Sequence, residues 1–103
     1  MTDDILDLFY KEAQEAVDEV INTLSNLKCS LKPTSDIFYV LKLLKTIEHT
    51  AGFLGFEQIS SLAGSCYFML RSEAGRSDDQ KISEKTLSGI YTLRELCTCM
   101  KLS

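Results

Sequence analysis

One histidine, one proline and no tryptophan occur in these 103 residues. A single imidazole cannot supply the ligand clusters of zinc enzymes or, without a positioned nucleophile, an acid–base pair. With one proline and five glycines, long stretches run uninterrupted, which favours helices. Acidic residues outnumber basic ones, 15 to 11. A net charge of −4 excludes a general nucleic-acid binder, which needs a basic face for phosphates, although local basic stripes stay open. No run approaches the ~20 apolar residues that span a bilayer. The N-terminal MTDDILDLF is acidic where a signal peptide is basic, so a cytoplasmic protein with no membrane partner is expected.

What is present fits one soluble domain, residues 1–103, with 45% hydrophobic and 25% charged residues. A chain of this size buries about two-thirds of its unfolded surface, enough for a core without metal or disulfide staples. The four cysteines are Cys29, Cys66, Cys97 and Cys99. Two helical positions separate Cys97 from Cys99, about 200° of rotation, so both thiolates cannot grip one metal. Free thiols, buried or half-buried, are expected, with no metal and no cofactor.

Helical periodicity organises the chain. Residues 3–27 carry Ile5, Leu6, Leu8, Phe9, Ala13, Ala16, Val17, Val20, Ile21, Leu24 and Leu27 at three- and four-residue spacing. Glu12, Glu15, Asp18 and Glu19 take the other side. Asp3 and Asp4 suit the positive end of this helix. Pro33 stops continuation, and Ser35 or Asp36 can cap a second helix over 36–54. Its wide apolar side runs from Ile37 and Phe38 to Leu54. Lys42, Lys45, His49 and Gly52 form an opposite, solvent-facing stripe. Gly55 allows a tight reversal into a third helix over 56–74, and Gly75 is placed to end it. After a polar loop over 75–82, Ser83 can cap a fourth helix over 83–101. The spacing predicts an all-α, up-down four-helix bundle. Tyr39, Tyr67, Phe68 and Tyr91 are expected mainly in core or groove packing. Met1 directly before the first helix suggests a natural N-terminus. The end inside or just past the fourth helix leaves open whether this is a whole protein or the first domain of a larger one.

Residues 40–63, VLKLLKTIEHTAGFLGFEQISSLA, resemble the signature of histidine phosphotransfer (HPt) domains, most closely the N-terminal domain of the chemotaxis histidine kinase CheA. AGFLGFEQI is the specific part, and ILDLFYKEAQEAVDEV extends the likeness loosely to the first helix. The resemblance implies a helical bundle without catalysis of its own. A solvent-facing histidine on the second helix would take a phosphoryl group from a kinase catalytic domain and pass it to a response-regulator receiver domain.

With AGFLGF in register, the family's acceptor histidine falls on Lys45 and its helper lysine on Glu48. The glycine one turn on falls on His49, and the supporting histidine and glutamate of the third helix fall on Gly64 and Tyr67. Two readings follow. In one, His49 is an acceptor shifted by one turn, about 5–6 Å along the same face, with Lys45 as its electrostatic helper. An unperturbed imidazole is mostly neutral in the cytoplasm and needs no special tuning. In the other, the domain is a pseudo-HPt: a protonated lysine is no nucleophile, and phosphoryl transfer tolerates misplacement poorly. Lys42, Lys45, Glu48, His49 and Gly52 would then form a surface for docking a receiver or kinase domain, without chemistry. A structural or dimerising bundle is the reading of another class; apolar residues exposed on the first or fourth helix would favour it.

Overall fold

In the computed structural model, which describes residues 2–27, 35–74 and 81–102 (side chains of 5–27, 35–74 and 81–98), four helices account for nearly all of these positions. They are α1 (Thr2–Asn26), α2 (Ser35–Leu54), α3 (Glu57–Ala74) and α4 (Glu84–Leu102). Each bound lies within two residues of the expected one. Pro33, Cys29, Gly75 and residues 76–80 of the polar loop lie outside the described residues. So do the side chains of Asp3, Asp4 and Cys99.

The buried residues follow helical spacing on every element. Phe9, Ala13, Val17, Val20 and Leu24 come from α1, and Ile37, Val40, Leu44, Ile47 and Ala51 from α2. Ile59, Ala63, Cys66 and Leu70 come from α3, and Ile90, Leu93 and Cys97 from α4. Each helix packs on its neighbours in the chain, and α1 closes the ring against α4. That is the all-α four-helix bundle expected, 47 × 22 × 21 Å. No described helix is long and apolar enough to cross a membrane.

A helix with two neighbours needs only a narrow apolar stripe, so the wider apolar faces read from the sequence are not fully used. Ile5 and Leu8 of α1 and Phe38 of α2 are exposed rather than in the core. Phe68, Tyr39 and Tyr91 are also exposed, against the expected core or groove packing, whereas Tyr67 is half-buried.

Two caps fix the helix junctions. At the end of α2 the Phe56 amide donates to the Ala51 carbonyl at 2.8 Å and the Gly55 amide to the Gly52 carbonyl at 3.3 Å. These are the paired bonds of a Schellman motif, which needs the left-handed φ of +86° that Gly55 adopts. Phe56 therefore lies in the turn, one residue short of α3, where its ring stacks on Phe9 at 5.2 Å and tilts against Tyr10 at 5.6 Å. The turn between α2 and α3 is thus pinned to α1. At the start of α4, the Thr86 amide donates to Ser83 Oγ at 3.2 Å, the expected N-cap. Glu73, buried at the end of the α3 stripe, completes it. Its carboxylate accepts the Ser83 amide at 2.7 Å, the Ser83 hydroxyl at 3.0 Å and the Thr86 hydroxyl. Both thiols described, Cys66 and Cys97, are free and buried, and burial pushes each up to about 11.

Candidate functional site

Positions 38, 42, 45, 49 and 53 fall within about 80° on a helix, so α2 presents Phe38, Lys42, Lys45, His49 and Phe53 as one outward stripe. It is about 22 Å long at 1.5 Å per residue. Phe38 is 62% exposed and Phe53 90%, so an aromatic ring stands in water at each end of a basic segment. Lys42 and His49 are exposed, and Gly52 is exposed beside them with Ser60 Oγ 3.2 Å from where its Cβ would stand.

Lys45 leans away from the stripe toward α3. Its Nζ lies 3.0 Å from Glu48 Oε1, 4.9 Å from the centroid of the Tyr67 ring and 5.9 Å from that of Phe68. Both rings are within the reach of a cation–π attraction, and they meet each other edge-on at 5.6 Å. Glu48 reaches this position because Gly64 has no side chain: a Cβ there would collide with Glu48 Oε2 and lie 3.1 Å from its Cδ. Glu48 Oε1 is shielded from water and accepts no hydrogen bond of good geometry, so its link to Lys45 is one of charge. The backbone is held too, by the Ser60 hydroxyl donating to the Glu48 carbonyl at 2.9 Å.

Lys45, Glu48, Gly64 and Tyr67 therefore interlock. They are the four positions onto which the HPt resemblance maps acceptor, helper and supporting residues. His49 stands outside the interlock, exposed and without a hydrogen-bond or ion-pair partner among the described residues. No acid, base or carbonyl fixes either ring nitrogen. Among the described residues no three His, Cys, Asp or Glu side chains converge as metal ligands.

Beside Lys45 runs a groove of about 670 Å³ between α2 and α3, with Ile37, Leu41, Tyr67 and Ala74 among its lining. Lys42 and Lys45 edge it from α2 and Arg71 from α3. No protein-family model, curated protein or solved structure matches this chain.

Of the residues that periodicity and register single out, Lys42, His49 and Gly52 are exposed on α2, while Lys45 and Glu48 are half-buried toward α3. Sequence reading missed Arg71, Phe38 and Phe53 as surface residues. The signal for the two phenylalanines was present, since both share the helical phase of the lysines. Arg71 carried none, because its position at the groove depends on how α3 lies against α2.

Proposed function

We propose that this chain is a pseudo-HPt docking module of a bacterial two-component or chemotaxis pathway, cytoplasmic and without catalysis of its own. It binds a receiver domain or a histidine-kinase catalytic domain through the outer face of α2 and the adjoining edge of α3. Lys45 serves there as a fixed positive charge in the acceptor's place. The carrying observation is the interlock: Lys45 is held by Glu48 and Tyr67, and Glu48 by the space at Gly64. All four replacements fit one another. A protonated ammonium is no phosphoacceptor but complements the carboxylate-lined pocket of a receiver domain.

His49 is the alternative acceptor, but no described residue orients its imidazole for chemistry. The test combines a labelled phosphodonor kinase with a binding assay against receiver domains. Wild type is expected to bind a receiver domain, with affinity falling in Lys42→Glu, and to take no acid-labile label. Label that disappears in His49→Gln would overturn the chemistry-free reading in favour of the shifted acceptor. Failure to bind receiver and kinase domains alike would remove the docking function.

A further inference from the structure

Two surfaces of this chain match each other in spacing and oppose each other in charge. On α1, Leu8, Glu12, Glu15 and Glu19 follow one another by four, three and four residues; on α2, Phe38, Lys42, Lys45 and His49 do the same. Each set covers a narrow helical arc, and each points into water apart from Lys45, which is half-buried. Leu8 is 56% exposed, and Ile5 beside it 57%. Among the described residues Glu12, Glu15, Lys42 and Arg71 make no ion pair, so both surfaces keep unneutralised charge, although Lys45 is paired with Glu48.

We infer that the α1 stripe of one copy docks along the basic stripe of α2 and the adjoining groove of a second copy, the two helices parallel. In that alignment Leu8 and Ile5 meet Phe38, Glu12 meets Lys42, and Glu15 lies between Lys45 and Arg71. The reverse direction sets Glu19 against Phe38 and Leu8 against His49, which leaves Phe38 without an apolar partner. A two-fold contact that lays either stripe on itself juxtaposes like charges, and one that pairs α1 with α2 both ways sets them antiparallel, since the two helices already run antiparallel within one molecule. The contact is heterologous, so each added copy leaves one acidic and one basic stripe open and assembly does not stop at a dimer. One helix face about 21 Å long falls short of the ~1,200 Å² typical of stable interfaces, so association is weak and salt-sensitive. It needs no phosphotransfer chemistry and does not rest on the function proposed above.

Sedimentation of the isolated chain tests this. Wild type should show a mass that rises with concentration past that of a dimer in low salt and returns to monomer in high salt. Lys42→Glu/Arg71→Glu has two acidic surfaces, and Glu12→Lys/Glu15→Lys has two basic ones. Each alone should associate at least about tenfold more weakly. An equimolar mixture pairs acidic with basic at every junction and should regain association. Circular dichroism confirms that each variant folds; all four side chains are exposed, so the helices should be intact. A wild type that stays monomeric in low salt at millimolar concentration overturns the inference, as does a mixture no more associated than its components. Loss of self-association with receiver binding intact would leave the proposed function standing.

Discussion

Replacing Gly64 by alanine probes the interlock through one methyl group. Inside a helix, alanine is favoured over glycine by about 0.5–1 kcal/mol. Against this stands the Glu48 side chain, which supplies the three heavy atoms nearest to the new Cβ outside the local backbone. The methyl would push it out and break its contact with Lys45. That pair is partly exposed, at 42% and 24% for the two side chains, so its loss costs only about 0.5 kcal/mol after screening. Gly64→Ala alone should therefore lie within about 0.5 kcal/mol of wild type. In a Glu48→Ala background the obstruction is gone, and the same change should stabilise by about 1 kcal/mol. Urea denaturation of the four proteins in the cycle, followed by circular dichroism, yields the coupling directly, expected at about 0.5–1 kcal/mol. A loss above about 2 kcal/mol in both backgrounds would refute the reasoning, because backbone packing rather than the carboxylate would then fill the space.

Three further outcomes are expected. Glu73→Ala strips the α4 cap of a buried carboxylate accepting one amide and two hydroxyls and should cost about 3 kcal/mol in urea denaturation. Gly55→Ala forces a side chain into the left-handed region and should cost about 1 kcal/mol by the same measurement, with the helical spectrum retained. The buried thiols Cys66 and Cys97 should react with a disulfide reagent at neutral pH only as the chain unfolds. They are held protonated to about 11 in the fold against 9.0 in the open chain. The unfolded state then binds fewer protons above pH 9.0, so stability should be undiminished below that and fall as pH rises toward about 11. Denaturation midpoints across that window check the slope, which Cys66→Ala/Cys97→Ala should flatten.

The bundle was legible because its signals are local. Val17, Val20 and Leu24, or Ile37, Val40 and Leu44, announce their helices by spacing alone, and Gly55 and Ser83 mark their caps. The outward direction of Lys42 and His49 follows from the same phase. Phe38 and Leu8 were misplaced because periodicity says which arc is apolar but not how much of it two neighbouring helices cover. The Glu48 carboxylate in the gap at Gly64, and Glu73 reaching Ser83, join residues 16 and 10 positions apart on different helices. Such contacts depend on how two helices are rotated against each other, which no single segment encodes.

That rotation is set by two residues. Gly55 and Phe56 are the whole connection between α2 and α3. Inserting or deleting one residue there would turn α3 by about 100° about its axis. Tyr67 would swing off the ammonium, and a different side chain would replace the gap at Gly64. Point substitutions at the rim would alter the site by degrees, but a change of loop length would abolish it in one step. In a lineage that keeps this arrangement, the number of residues between Lys45 and Tyr67 stays fixed.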